Sequence, residues 1–260
     1  MAIDVMPPGS DKERDELSAD TVLGGRVKLF QPAKGYRAAI DPVLLAATVA
    51  VQAGEAVIDL GCGVGTAGLC VLARLPGVSC TGIDFQQTLV DLAARNAQES
   101  GFGAVYRAVC ANILDKALLA TATTERADQV IVNPPYLPRG QASLSDHRTK
   151  ALANAESDAV LADWVKAAIA VAAPRGSITF IHRADRLPEL LSLMQPHLGA
   201  LTVLPIQPKR DEPARRVIVR GTRGTRAPAR LLPALILHEV DGRFTPLAQA
   251  VLAEAAAIQI

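Results

Sequence analysis

Two short apolar runs in this chain each lead into a motif that belongs at the end of a buried strand. Ala56-Val57-Ile58 leads into Asp59-Leu60-Gly61-Cys62-Gly63-Val64-Gly65, and Val130-Ile131-Val132 leads into Asn133-Pro134-Pro135-Tyr136. Short apolar runs bounded by Gly or Pro read as buried strands. Where such strands alternate with helices, the sheet is parallel and covered on both faces. Ligands then bind beyond the carboxyl ends of the strands, near the switch in strand order. Both motifs are therefore expected to border one crevice.

The rest of the chain supports that alternation. Strands are expected at 56–60, 79–83, 105–109, 128–132 and 177–182, and helices at 66–74, 86–100, 159–173 and 187–198. Trp164, on the third of these helices, is expected in the core. Segments 201–206, 216–220 and 235–239 are expected to close the sheet as antiparallel strands. Upstream, Arg26–Phe30 alternates polar and apolar residues and reads as a strand, with Tyr36–Ile40 pairing back to it. Asp41-Pro42 is a helix start, with Asp as the N-cap and Pro in the first turn, and the helix is expected to end near Gly54. Residues 1–20 read as a disordered polar tail, and 21–53 as a lead-in of hairpin plus helix.

The 260 residues suit one large α/β domain, with a hydrophobic fraction of 50%. No apolar run reaches membrane-spanning length, and the first twenty residues lack the apolar centre of a signal peptide. A cytoplasmic location is expected. Cys62, Cys70, Cys80 and Cys110 form no Cys-x-x-Cys pair, His147, His182, His197 and His238 are scattered, and no metal site is expected. The net charge is +1. Between Lys209 and Arg230, however, eight basic residues face only Asp211 and Glu212, so the remainder is net acidic. Such asymmetry points either to a polyanion-binding face or to a solvated rim.

The glycine motif has a definite chemistry. Glycines let the backbone approach a ligand closely, and a helix start beyond them aims free N–H groups at it. Asp59 can bond the ammonium of a methionine moiety. Asp84 ends the next strand, where an acid can accept both hydroxyls of a ribose. Gly63-Val64-Gly65-Thr66-Ala67-Gly68 also fits the dinucleotide fingerprint, but it begins two residues late for the strand end. The second motif suits a planar nitrogen nucleophile, whose lone pair is delocalised. The Asn133 side-chain oxygen and the Pro134 carbonyl can take its N–H protons and localise that pair. Pro134 and Pro135 stiffen the turn, and Tyr136 can stack on the planar group.

With both motifs in hand, the chain resembles the class I S-adenosylmethionine-dependent methyltransferases of the bacterial tRNA1(Val) (adenine-37-N6)-methyltransferase family. The resemblance spans roughly residues 20–250. It is carried by Leu23-Gly24-Gly25, Lys34-Gly35-Tyr36-Arg37, Asp41-Pro42-Val43-Leu44-Leu45, Asp59 to Gly65, Asn133 to Tyr136, and Arg226-Ala227-Pro228 followed by His238-Glu239.

That resemblance implies a Rossmann-like fold. It would have a mostly parallel seven-stranded sheet, helices on both faces and an antiparallel C-terminal hairpin, within a methyltransferase domain over 54–260. It implies S-adenosyl-L-methionine held by Asp59, Gly61, Cys62, Gly63, Gly65, Asp84, Phe85, Asn112 and Ile113, with Lys34, Tyr36 and Asp41 lining a lid. Asn112 stands where an Asp is usual; its amide oxygen can still accept from an adenine amino group.

The catalytic set is Asn133, Pro134, Pro135 and Tyr136. The expected acceptor is adenine N6 in tRNA or another RNA, with Arg139, Arg148, Lys150, Arg215, Arg216, Arg223 and Arg226 as candidate RNA contacts. The alternatives are a glutamine side chain of a protein acceptor, since the same clamp serves it, and a small molecule. Oligomeric state is left open.

Overall fold

The strand that precedes each motif is buried on both faces, and this places both at the centre of a sheet. A computed structural model describes residues 17–33, 40–123, 126–136 and 159–260. In it β3 (Ala56–Leu60) and β6 (Ala127–Val132) are adjacent and parallel, from Val57 opposite Gln129 to Leu60 opposite Val132. Side chains alternate cleanly between two cores. Val57 and Ile131 pack on one face, and Ile58, Leu60, Val130 and Val132 on the other. Near-continuous apolar strands are what a sheet covered on both sides requires.

β4 (Ser79–Asp84) and β5 (Tyr106–Cys110) extend the sheet from β3, while β7 (Ala172–Arg183) lies beside β6. β9 (Arg216–Arg223) runs antiparallel between β7 and β8 (Leu198–Gln207). The seven principal strands thus run β8-β9-β7-β6-β3-β4-β5, as the fold expectation requires. The strand order reverses between β3 and β6, so both motifs leave the sheet at its switch point.

One expectation fails at the far edge. Segment 235–239 does not close the sheet as an antiparallel strand. Instead β10 (Arg230–Leu231) and β11 (Leu235–Ile236) pair parallel with β8 and bring the sheet to nine strands. Pro233 lies between them. It has no N–H to donate, so one edge strand becomes two short pieces.

The first core is covered by α1 (Asp41–Ala47), α2 (Thr66–Arg74), α3 (Gln87–Glu99) and α7 (Pro246–Glu254), with Leu44, Leu69, Ala93 and Val251 buried. The second is covered by α5 (Leu161–Val171) and α6 (Leu187–Met194), with Trp164, Phe180 and Met194 buried. Each such side chain is worth about 1.5–3 kcal/mol of transfer free energy. A short helix, α4 (Lys116–Ala122), follows β5. Neither α4 nor α7 is expected from the sequence reading. The second was legible, because Thr245 caps it by accepting from Ala248 N–H, with Pro246 in the first turn.

The lead-in differs in two ways. β2 (Val27–Pro32) pairs with β1 (Leu17–Val22); the pairing expected for Tyr36–Ile40 falls, but for Ile40, outside the described residues. β1 therefore begins inside the stretch read as tail. Leu23, Gly24 and Gly25 all take positive φ, and two adjacent glycines make this tight reversal feasible. Helix α1 ends at Ala47, well short of Gly54, and Asp41 does not cap it; Ile40 holds the N-cap position and makes no side-chain cap bond. The Asp41 carboxylate is engaged elsewhere.

Candidate active site

The glycine loop is fixed by backbone bonds before any ligand is considered. Gly61 and Cys62 N–H both donate to the Ile83 carbonyl, which ties the loop to the end of β4. Gly61 and Gly65 have φ of 72° and 86°. A Cβ at Gly61 would stand 2.7 Å from the Trp164 ring, and one at Gly65 2.9 Å from Tyr106 Oη. These two positions need glycine for both backbone and space. Trp164 is in the core, as expected, and it forms the floor of the loop.

Two carboxylates underlie the loop. Asp84 accepts from Gly63 N–H at 3.0 Å with one oxygen and from Gln86 N–H at 3.0 Å with the other. Burial raises its pKa, against the pull of the Gln86, Gly63 and Phe85 amides. Each oxygen keeps acceptor capacity for a ribose hydroxyl. Asp59 accepts from Gly68 N–H at 2.9 Å and is almost wholly enclosed. Burial pushes its pKa up to about 7; the Gly68 bond opposes this and the Asp84 charge adds to it. Thr66 Oγ1, at the start of α2, is buried without a hydrogen-bond partner among the described residues. Phe85 is exposed and Ile113 half-buried beyond the strand ends. Asn112 turns its side-chain oxygen back to Leu114 N–H at 2.9 Å. A helix N-terminus, a two-acceptor acid and apolar flanks match an adenosyl-amino-acid ligand, so the residues fit S-adenosylmethionine.

Asn96 on α3 was not anticipated. Fully buried, it donates to the Val64 carbonyl at 2.9 Å and the Phe30 carbonyl at 3.1 Å, and accepts from Phe30 N–H at 2.7 Å. It thereby joins the lead-in strand β2 to the glycine loop. A lone Asn in an amphipathic helix gives no sign of such a role.

Asn133, Pro134, Pro135 and Tyr136 leave β6 beside that loop. Tyr136 Oη lies 2.5 Å from Asp41 Oδ2 and 3.1 Å from Asn133 Oδ1. Arg216 Nε donates to the same Asp41 oxygen at 2.9 Å, and its Cζ stands 4.8 Å from the Tyr136 ring centroid. Burial works against the Arg216 charge, yet Asp41 and then Tyr136 outweigh it and raise its pKa. The His182 ring lies 5.2 Å from the Tyr136 ring, tilted by 33°. His182 Nδ1 accepts from Arg183 N–H at 2.7 Å. Burial, then the Arg186 charge, lowers its pKa to about 4, so the ring is neutral near pH 7 with its proton on Nε2.

The sequence-derived sites therefore separate into groups. Asp59, Gly61, Cys62, Gly63, Gly65, Asp84, Phe85, Asn112 and Ile113 gather along the ends of β3, β4 and β5. Asp41, read as part of a cofactor lid, bonds the Tyr136 hydroxyl of the acceptor motif. Arg216, read as an RNA contact, also belongs to that cluster. Arg215 is exposed and pairs with Glu212 at 3.0 Å. Arg223 lies at the opposite end of β9, bonding the Ala172 carbonyl, and Arg226 borders a groove with His197 and Gly199 at that same end. Lys34, Tyr36, Arg139, Arg148 and Lys150 lie outside the described residues. Arg220, within the basic segment, is half-buried and bonds the Thr48 carbonyl; desolvation and then Arg74 lower its pKa to about 10. Among the described residues no group of three or more His, Cys, Asp or Glu could hold a metal ion, and no helix is long and apolar enough to cross a membrane.

Comparison with known proteins agrees with this geometry. The family model of the methyltransferase small domain matches residues 39–184, more than half of the chain. A tRNA1(Val) (adenine(37)-N6)-methyltransferase of Porphyromonas gingivalis is 27% identical over 225 residues, covering 81% of this chain and 84% of that protein. A release factor glutamine methyltransferase of Chlorobaculum tepidum is 34% identical over 85 residues, 33% of this chain and 29% of that protein. Among solved structures, one described as a predicted O-methyltransferase from Agrobacterium tumefaciens superposes with a TM-score of 0.70 at 27% identity, over 85% of this chain and 99% of that one.

Proposed function

We propose, from the premise that the chain belongs to the methyltransferase small domain family, that it methylates adenine N6 in tRNA. That it is an S-adenosylmethionine-dependent methyltransferase follows from the family and from the fit of the site; the acceptor is the proposal. The observation that carries it is the pairing of two motifs on adjacent strands. A glycine loop leaves β3 and Asn133-Pro134-Pro135-Tyr136 leaves β6 beside it. The relatives named as tRNA adenine N6-methyltransferases support the choice of acceptor.

In this reading Asp84, Asp59, the glycine loop, Phe85 and Ile113 hold S-adenosylmethionine, which supplies a methyl group on a sulfonium. The Asn133 oxygen and the Pro134 carbonyl accept the two N–H bonds of the adenine amino group. They orient its lone pair toward the methyl carbon and stabilise the positive charge that grows on nitrogen. The methylated nitrogen then loses one proton to solvent. Neutral His182 puts no competing positive charge beside it. Lys209, Arg210 and Arg215, in the β8–β9 connection at the same end of the sheet, are placed for phosphate contacts. The segment 21–53 serves as a lead-in, with β2 held to the loop by Asn96.

Transfer from radiolabelled S-adenosylmethionine to unmodified total tRNA, followed by nucleoside analysis, tests the acceptor. The expected product is labelled N6-methyladenosine, absent with Asn133→Ala. Cofactor binding without any label in tRNA overturns it. A labelled protein band would favour glutamine as acceptor, which the shorter likeness to a glutamine methyltransferase also allows.

A further inference from the structure

The acceptor motif is tied to two distant residues that a clamp for the nucleophile does not by itself need. Asp41 comes from α1 and Arg216 from β9, and both meet the Tyr136 hydroxyl region. A tyrosine hydroxyl has one proton to give. At 2.5 Å from Asp41 Oδ2 the contact is in the range of a charge-assisted O–H···O bond, which the hydroxyl donates and the carboxylate accepts. The oxygen then has only lone pairs to offer Asn133, 3.1 Å away. The amide end placed there in the structure is the oxygen, Asn133 Oδ1, which sets acceptor against acceptor. The two ends of a carboxamide have the same shape, so the bonding network decides which end faces Tyr136.

We propose that Asp41 is a positioning residue for methyl transfer: it accepts the hydrogen bond of the Tyr136 hydroxyl, so that the Tyr136 oxygen accepts from the Asn133 NH2 group and the Asn133 oxygen is presented to the acceptor nitrogen. Arg216 holds Asp41 in place through its 2.9 Å bond. Reversal of the amide would present an N–H donor to an N–H donor and lose the orientation. The inference rests on the reading of Asn133-Pro134-Pro135-Tyr136 as a clamp for a nitrogen nucleophile, and not on which nucleophile it is.

Two measurements on the full chain test it. The sequence contains four asparagines, Asn96, Asn112, Asn133 and Asn154. With 15N-asparagine labelling, the Asn133 side-chain NH2 signals are identified by their loss in Asn133→Ser. Tyr136→Phe, which removes only the hydroxyl, is expected to shift these signals and speed their hydrogen exchange, leaving the Asn96 pair in place. An unmoved Asn133 pair overturns the proposal, whatever the acceptor.

The second measurement is a double-mutant cycle on methyl transfer. Tyr136→Phe and Asp41→Leu are each expected to lower kcat about tenfold, with S-adenosylmethionine Kd within about twofold of the parent. The double variant should be no slower than either single one. Asp41→Asn, which keeps an acceptor for the hydroxyl, should recover most of kcat. Additive losses, or losses confined to cofactor affinity, overturn the proposal. Should the unaltered protein label no tRNA, the acceptor assignment falls, while the amide signals still decide the relay.

Discussion

The two halves of the crevice are built in opposite ways. The cofactor half is drawn from one continuous stretch, Asp59 to Ile113, and its key bonds join loops to the adjacent strand ends. Gly61 and Cys62 bond Ile83, and Gly63 and Gln86 bond Asp84. The acceptor half is assembled from four places: Asp41, Asn133–Tyr136, His182 and Arg216. Only the sheet brings these together, because antiparallel pairing sets Arg216 opposite Arg183, next to His182. The first half is backbone architecture; the second is a polar side-chain network. A network of that kind couples its members, whereas a backbone cradle tolerates changes outside it.

The largest expected effects would show that the halves are separable. Asn133→Ala removes an acceptor aimed at the nitrogen, and kcat should fall about 100- to 1000-fold, as for loss of one preorganised transition-state partner. S-adenosylmethionine Kd should stay within about twofold. Asp84→Ala should do the reverse in kind, weakening the cofactor roughly 10- to 100-fold, about 1.5–3 kcal/mol for hydrogen bonds to a charged group. Calorimetric cofactor titrations beside single-turnover rates separate the two. Equal loss of cofactor affinity in Asn133→Ala would break the comparison.

The next contrast is in pH, and the signs are opposite. Asp59 has its folded pKa raised to about 7 from 3.8, burial being the main cause. The native state then holds a proton that the unfolded chain releases. Its contribution to stability is complete below about pH 4 and is lost as pH rises through 7. Asp59→Asn should therefore raise the melting temperature of the cofactor-free protein by several degrees at pH 8 and little at pH 4. It should also weaken S-adenosylmethionine, whose cationic groups favour the charged acid. An unchanged pH profile of melting would remove Asp59 from this account.

His182 has the reverse sign. Its folded pKa is lowered to about 4 from 6.5, through burial and then Arg186. The stability it contributes is present above pH 6.5 and is lost as pH falls through 4. His182→Gln should flatten the acid limb of the melting profile between those values while leaving the limb above pH 7 untouched. If the variant melts with the parent's acid limb, other groups in the acceptor half set it.

This difference in construction also decides what the sequence could show. Glycines, strand ends and Asp84 are local signals, so the place of the glycine loop and Asp84 at the strand ends and the seven principal strands were legible. The bonds of Asp41 to Tyr136 and Arg216 were not, because Asp before Pro is an ordinary cap signal, and these partners are 95 and 175 positions away. His182 had no neighbouring motif at all. The basic segment misled for a simpler reason, since a count along the chain ignores strand direction. On β9 it mixes Arg216 in the crevice, Arg220 bonded to the Thr48 carbonyl, and Arg223 at the far end.

That split of the basic segment gives the smallest expected effect. Phosphate contacts made near the crevice should involve Lys209, Arg210 and Arg215, whereas Arg226 lies with His197 and Gly199 at the amino end of the sheet. Each lost phosphate contact should reduce the salt slope of tRNA binding by about one and weaken binding a few-fold. Arg215→Ala also breaks an exposed pair with Glu212, which is worth little to the fold. Titrations across a salt series should therefore separate Arg215→Ala from Arg226→Ala, the latter staying within about twofold of the parent. Equal losses in both would mean that bound RNA reaches around the sheet from one end to the other. The acceptor half would then extend well beyond the crevice, and the basic segment would act as one surface although Arg220 at its centre is bonded inward to the Thr48 carbonyl.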